Sequence, residues 1–273
     1  MKKEKIQNIL KNQDFTTTSQ GAFCFLPGDR TPNSTAGKGA LGNIQEKIKK
    51  YGRLYYFIIY VFSPVFGNQK FQRKFGKLLA KYQNENIIMN IDSGPTYLHA
   101  RKDVINVDIF DFKEVDIIAD AADLPLIENS VDLIFNIAML EHVPAPQTII
   151  KEMYRVLKKG GEAVCYLPFM VPFHAAPEDY QRWTITGVKN LFSEYEILEI
   201  GVGAGPTSAM LWVLQEWLSI LFSFRSKILH DIIFLILMIV TAPLKLLNLL
   251  LVKFPYAEKI ASGFYVIGRK RDT

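Results

Sequence analysis

Four histidines occur in the 273 residues, His99, His142, His174 and His230, and an imidazole near its unperturbed pKa is the side chain best suited to move a proton at neutral pH. Two of them stand among other reactive types. His142 closes Leu140-Glu141-His142, and His174 lies in a run from Pro168 to Thr184 that mixes His, Glu178, Asp179, Tyr180, Arg182 and Trp183. A loop of that make-up can wall a site for a hydroxyl-bearing acceptor. His99 falls in a short turn and His230 in an apolar stretch, so His142 and His174 are the candidate general bases. Tyr180 and Arg182 are the candidate substrate contacts. A pairing of Arg182 with Glu178 or Asp179 is the structural alternative, as a capping or hydrogen-bonding role is for His142. Trp183 and Glu141 are expected to serve the structure.

A second set is acidic or amide-bearing, and each member ends an apolar run. In Asn90-Ile91-Asp92-Ser93-Gly94-Pro95 the chain turns sharply, and Gly94 lets a ligand come close to the backbone. Asp108 closes Ile105-Asn106-Val107, where a carboxylate can accept both hydroxyl hydrogens of a ribose. Asp120 with Ala121 offers an acid and a free amide that can read the edge of an adenine, and Asn136 ends a fourth run. Taken singly, such residues also suit turns and caps.

These residues need a scaffold that gathers strand ends. Ile87 to Ile91, Val104 to Ile109, Val115 to Ala119, Val131 to Ile137 and Ala163 to Leu167 are short apolar runs without clean alternation, the pattern of strands buried on both faces of a mainly parallel sheet. Pro146 to Leu157 carries Ile149, Ile150, Met153 and Val156 at helical spacing and should close at Lys158, Lys159 and Gly160-Gly161. Thr186 to Phe192 predicts a helix, and Tyr195 to Val202 and Gly263 to Arg269 predict two more strands. The expected fold class is α/β: a Rossmann-like, doubly wound, mainly parallel sheet whose ligand lies at the carboxyl ends of the strands.

Ahead of the sheet, residues 1–43 are expected to form a flexible arm, rich in Gly, Pro, Ser, Thr and Asn from residue 21 on. Gly37-Lys38 lacks the companions of a phosphate loop. Residues 44–84 form a helical extension, ended or kinked at Pro64. The third unit, 85–273, contains an almost continuously apolar insertion at 208–253 before the last strand. Its densest part, Ile232 to Leu244, is shorter than the roughly 20 residues of a spanning helix and is bracketed by Asp231, Pro243 and Lys245. A helical pair lying in one leaflet, a complete crossing, a dimer interface and a lid over the sheet are the readings, the first preferred.

Composition excludes several classes. A chain that is 49% hydrophobic and 22% charged is not disordered. Two cysteines, Cys24 and Cys165, exclude a disulfide framework and a zinc-thiolate cluster, and no metal is expected. The net charge of +5 is spread along the chain without a basic stripe interleaved with aromatics, which disfavours nucleic acid. No secretory signal is evident at Met1-Lys2-Lys3-Glu4. The expected location is the cytoplasm, peripheral to a membrane.

The run Asp123-Leu124-Pro125-Leu126, Ser130-Val131-Asp132, Leu140-Glu141-His142-Val143 and Glu152 to Gly161 resembles the class I S-adenosylmethionine-dependent methyltransferases, in the branch that holds quinone, sugar and other small-molecule methyltransferases. The resemblance covers about residues 87–192. The segment Asp179-Tyr180-Gln181-Arg182-Trp183-Thr184 is similar to an Asp-Tyr-x-Arg-aromatic-Thr run after the same strand in that branch. It implies S-adenosylmethionine as cofactor, with Asn90, Asp92 and Gly94 in the loop for its methionine part, Asp108 on the ribose, Asp120 and Ala121 on the adenine and Asn136 lining it. The family loop carries an acid and three glycines, of which only Gly94 stands here. The activity expected is O-methylation of a lipid-linked or amphipathic small-molecule or glycan acceptor, the acceptor class and the membrane surface resting on the apolar insertion at 208–253, by a chain that can oligomerise. The alternative is a non-catalytic scaffold that kept the fold.

Overall fold

The computed structural model describes residues 2–26, 61–94, 101–175 and 178–272. The apolar runs become strands β1 (Thr16–Thr17), β2 (Phe23–Cys24), β3 (Ile88–Ile91), β4 (Ile105–Asp108), β5 (Ile117–Ile118), β6 (Val131–Ile137), β7 (Leu157–Pro168), β8 (Glu196–Ala204) and β9 (Gly263–Arg269). They form a single sheet in the order β1-β2-β5-β4-β3-β6-β7-β9-β8. Neighbours from β2 through β7 are parallel, whereas β9 is antiparallel to both β7 and β8. Strand β3 lies between β4 and β6, so the chain reverses its direction of travel across the sheet there. That is the topological switch point where an open α/β sheet leaves a crevice.

Helices α1 (Lys2–Ile9), α2 (Gln69–Lys81), α3 (Pro146–Val156) and α4 (Ile185–Leu191) cover the sheet. Alternate residues of the same strands enter two buried clusters, because successive side chains point to opposite faces. Met89, Ile91 and Ile134 join Ile6 and Ile9 of α1, Ile149 and Met153 of α3 and Val188 of α4. Ile88, Leu133 and Phe135 join Phe71 of α2. Caps set the helix starts: Asn68 accepts the Lys70 N–H, Thr184 accepts the Gly187 N–H, and Pro146 sits in the first turn of α3.

Three expectations need correction. Residues 2–26 are not an arm: β2 pairs with β5, and Leu10 bridges Leu126. Ile6, Ile9 and Leu10 have the i, i+3, i+4 spacing of a buried helix face, and all three are in the core. The helix of the extension runs over 69–81, after Pro64, while residues 27–60 lie outside the described residues. Third, Lys158 to Gly161 do not close α3. They begin β7, whose first pairing is Leu157 with Val131, and a bulge between Val131 and Leu133 absorbs Gly160 at φ 73°.

The apolar insertion is a helical excursion comprising α5 (Pro206–Phe222), α6 (Lys227–Thr241), a 3-10 turn (Ala242–Leu247), α7 (Asn248–Leu251) and a second 3-10 turn (Ala257–Ile260). It leaves and rejoins the sheet at one edge, since Ala204, Gly263 and Pro168 stand side by side in register. Pro243 tightens the helical path without ending it. Lys227–Leu251 is one helical run of 25 residues, long and apolar enough by length and composition to cross a membrane. Lys245 folds inward, donating to the carbonyls of Val61 at 2.6 Å and Ser63 at 3.2 Å.

Candidate functional site

The crevice beside β3 is shaped by a turn with two left-handed residues, Asp92 at φ 58° and Gly94 at φ 56°. An Asp tolerates that region better than most side chains, and Gly does so without strain. Three hydrogen bonds fix the turn to its neighbours. Asn136 of β6 donates Nδ2–H to the Ile91 carbonyl at 2.9 Å, the Ser93 N–H reaches the Val107 carbonyl at 3.2 Å, and the Gly94 N–H reaches Asp108 Oδ2 at 2.8 Å. Among the described residues, a Cβ placed on Gly94 would meet nothing within 4 Å.

The strand-end acids gather as the topology requires. Asp108 is buried, with Oδ1 accepting the Phe110 N–H at 2.9 Å and Oδ2 the Gly94 N–H. Burial raises its pKa against those two bonds. Asp92 is pushed up to about 7, first by desolvation and then by the charges of Asp108 and Glu141. Three carboxyl groups therefore share one poorly solvated place, an arrangement that favours a cation. Asp120 is exposed and accepts the Ala122 N–H at 2.8 Å, which leaves the neighbouring Ala121 partly buried at the end of β5. Asn90 and Asn136 are buried within the sheet. Asn90 donates to Asn106 at 3.3 Å, and Asn136 acts by holding the turn rather than by surface contact. His99 lies outside the described residues.

The other half of the crevice follows β6 and β7. After β6 a 3-10 turn, Leu140–His142, buries Glu141 completely and leaves both its carboxylate oxygens without a hydrogen-bond partner among the described residues. The loop after β7 is knitted to that turn: the Tyr180 N–H donates to the Glu141 carbonyl at 2.7 Å and Gln181 Nε2 to the Val143 carbonyl at 3.1 Å. His142 and His174 are thereby brought together, their rings edge to face at 5.3 Å. Each Nε2 stands 3.8 Å from Glu141 Oε1, an ion-pair separation too long for a hydrogen bond. Glu141, followed by the backbone contact to Pro172, raises the pKa of His174.

Arg182 takes the structural alternative. Its guanidinium forks onto Asp179 and reaches the Pro172 carbonyl at 3.0 Å. The Arg182 hydrogen bond holds Asp179 down at about 2. The ion pair also fixes His174, whose N–H donates to Asp179 at 2.8 Å. Tyr180 is half exposed, and Trp183 is buried in the core. Trp212 of α5 went unread in the sequence: its ring lies 5.3 Å from that of His174. Only register could have found it, because α5 starts from the sheet edge where β7 ends.

Fold and crevice define a Rossmann-like α/β domain with a cation-favouring site at the switch point. Residues 74–165 match the family model of a methyltransferase domain. The matched segment, about a third of the chain, is similar to a class I S-adenosylmethionine-dependent methyltransferase domain, and S-adenosylmethionine is the cofactor of that class. No curated protein matches the chain. Among solved structures, a protein of Galdieria sulphuraria assigned provisionally as a sarcosine dimethylglycine methyltransferase is 13% identical, with 80% of this chain and 98% of that one covered and a TM-score of 0.50. Phosphoethanolamine N-methyltransferase 2 of Haemonchus contortus, solved with phosphomonomethylethanolamine and S-adenosylhomocysteine, is 14% identical at a TM-score of 0.48. That match covers 84% of this chain, which spans 59% of the length of the Haemonchus protein.

The residues present fit the cofactor. The space left among the described residues at Gly94 accommodates close approach, each oxygen of Asp108 keeps a lone pair beyond its backbone bond, and the Asp92, Asp108 and Glu141 group suits positive charge.

Proposed function

We propose that the chain transfers a methyl group from S-adenosylmethionine to a hydroxyl of a lipid-linked or amphipathic acceptor at a cytoplasmic membrane surface. The observation that carries this reading is the contact between His174 and Trp212. It puts the acceptor side of the crevice against α5, whose outer face exposes Met210, Trp217, Ile220 and Phe222. An apolar surface of that kind is where an interfacial helix meets lipid. A cleft of about 780 Å³ between the start of α2 and α7, lined by Lys70, Arg73, Lys77 and Lys253, adds cationic groups beside the same excursion, as an anionic bilayer face favours.

When bound, S-adenosylmethionine supplies a methyl group on a sulfonium, whose departure leaves a neutral thioether. The turn from Asn90 to Gly94 would hold its methionine part, Asp108 the ribose, and Asp120 with Ala121 the adenine. Asn136 positions the turn. The protein's main contribution is alignment and exclusion of water. Its second contribution is a place for the acceptor's proton. His142 and His174 direct Nδ1 to the carbonyls of Glu178 and Pro172, so Nε2 is the lone pair of each neutral ring and can take that proton. The Arg182–Asp179 pair keeps His174 in place, and the half-exposed Tyr180 would contact the acceptor.

Calorimetry with S-adenosylmethionine tests the reading at its base. Binding is expected, with weaker heats in Gly94→Val and Asp108→Ala; no heat at millimolar ligand would leave a scaffold that kept only the fold. Flotation with anionic liposomes tests the location, and a chain that stays with the soluble fraction removes the bilayer from the proposal.

A further inference from the structure

We propose that Glu141, His142 and His174 bind one divalent transition-metal ion beside the cofactor crevice. Each of the three offers a ligand atom, and these atoms lie within 4.8 Å of one another. Ligands held about 2.0–2.2 Å from a common ion stand roughly 3.0–3.5 Å apart. The 3.8 Å from Oε1 to either Nε2 is thus a slightly opened cage that small side-chain rotations would close.

Two further features point to an ion. The first is Glu141: a fully buried carboxylate with neither oxygen hydrogen-bonded among the described residues is costly unless a positive charge meets it. Among the described residues its ion-pair contacts are with these two histidines alone, and no lysine or arginine reaches it. The second is the orientation of the rings. His142 Nδ1 lies 2.6 Å from the Glu178 carbonyl and His174 Nδ1 2.9 Å from the Pro172 carbonyl. A carbonyl only accepts, so Nδ1 carries the proton in both rings. Arg182 Nη2, a donor 3.3 Å from His174 Nδ1, would favour a lone pair there, but its hydrogens already go to Asp179 Oδ2 at 2.6 Å and the Pro172 carbonyl at 3.0 Å, and the shorter contact of Nδ1 is to the Pro172 carbonyl. Both Nε2 lone pairs then face Glu141. Backbone carbonyls holding the far nitrogens of two histidines, while the near nitrogens converge on a carboxylate, is the outer support that metal-binding histidines require.

Two imidazoles and one carboxylate select zinc, cobalt, manganese or iron over calcium and magnesium, which prefer all-oxygen shells. His174 is about a third exposed, so the cage has an open side. The purpose of the ion rests on the proposed methyl transfer: it would ligate the acceptor's hydroxyl and lower its pKa so that the proton passes to bulk water, the Nε2 lone pairs of both histidines being then taken up as ligands.

The test is a cobalt titration of the metal-stripped full-length chain, read by visible absorption, with S-adenosylmethionine calorimetry on the same samples. One equivalent of Co²⁺ is expected to bind and to be displaced by Zn²⁺. Glu141→Gln, His142→Ala and His174→Ala should each weaken binding by more than about 100-fold, the upper loss seen for outer-shell changes. His230→Ala, which removes the other acid-flanked histidine, should leave it unchanged. Absent cobalt binding in the wild type, or binding that survives all three substitutions, overturns the site. So does binding lost with His230 alone. Should Glu141→Gln fail to fold by circular dichroism, the two histidine variants decide. Calorimetry separates the two failures: cofactor heat without cobalt sinks only the ion, and cobalt without cofactor heat sinks only the methyl transfer.

Discussion

The sheet and the helical excursion are both built from Ile, Leu, Val and Phe, yet they are packed in opposite senses. In the sheet those side chains are hidden: Ile88, Leu133 and Phe135 are inaccessible to solvent. In the excursion they face outward while the polar groups turn in. In α5 the polar Thr207, Ser208, Gln215 and Ser219 are buried beside Pro206, Ala209 and Leu211, whereas Ile220 is 65% exposed, and α6 has no buried residue at all. The inner seam is hydrogen-bonded. Gln215 donates to Thr241 at 2.7 Å, Asn248 accepts the Thr207 N–H at 2.9 Å and donates to Ser208 at 2.6 Å, and Ser208 accepts the Phe66 N–H at 2.9 Å. Polar residues joining helices that turn their apolar faces out is how helices associate in lipid. Hydrophobicity alone therefore decides burial without deciding in which medium.

That contrast predicts large differences in stability for similar substitutions. Phe135→Ala in the sheet should cost about 3–5 kcal/mol through lost transfer energy and an unfilled cavity. Val240→Ala, at a position 68% exposed, should stay within about 0.5 kcal/mol. Denaturant unfolding in detergent-free buffer measures both, and equal losses would mean the outer face is covered by protein. Membrane association should reverse the ranking. Ile236 and Val240 both lie on the exposed side of α6, and burying an aliphatic side chain is worth about 1.5–3 kcal/mol. The pair Ile236→Asp and Val240→Asp should then reduce partition to anionic vesicles by about 100-fold or more. If partition is unaffected, the excursion is an interface between copies, and the same pair should instead change the oligomeric state in gel filtration.

The sheet was legible because burial on both faces leaves a signal in residue type. Val131 to Ile137 and Gly263 to Arg269 were read with the bounds that the strands have. Strands β1 and β2 were not legible: two residues each give periodicity nothing to repeat, and the turn-rich composition around them suggested a loop. The double glycine after α3 misled for a different reason. Glycine ends helices and makes bulges equally well, and the pairing that chose the bulge comes from Val131, more than 20 residues away. Among the candidate site residues, position at strand ends singled out Asp92, Gly94, Asp108, His142 and His174, and in the structure Gly94 bonds Asp108 and the two histidine rings meet. Glu141 was set aside as structural because a sequence does not say that a carboxylate will be buried without a partner. Trp212 was invisible because its place follows from strand register across β7, β9 and β8.

The two halves of the crevice should respond differently to substitution. Asp108 anchors the turn through Gly94 and is offered to the ribose, and hydrogen bonds to charged groups contribute about 1.5–3 kcal/mol. Asp108→Ala is expected to weaken S-adenosylmethionine by about 10–100-fold in calorimetry. His174→Ala, on the acceptor side, should slow turnover with cofactor affinity nearly intact. A loss of cofactor binding from His174→Ala equal to that from Asp108→Ala would erase the distinction between the halves.

The smallest expected change in cofactor affinity is the most diagnostic of charge. Asp92 has its pKa raised to about 7 by desolvation, with Asp108 and Glu141 adding repulsion, against an ordinary aspartate value near 3.9. Because the folded-state value lies above the unfolded one, the folded apo protein binds the extra proton, and its stability falls as pH rises from about 4 to about 7. Asp92→Asn removes that loss, so the variant should match the wild type near pH 4 and exceed it at pH 8 in thermal melts without ligand. Cofactor binding should run the other way. A sulfonium and an ammonium favour ionised Asp92, whose charged fraction climbs from about a tenth to about nine tenths between pH 6 and pH 8. Wild-type affinity should therefore rise about tenfold over that range, while Asp92→Asn binds more weakly and without the slope. A flat wild-type profile would mean that the cation does not meet Asp92, and the cofactor's methionine end would have to be sought away from this turn.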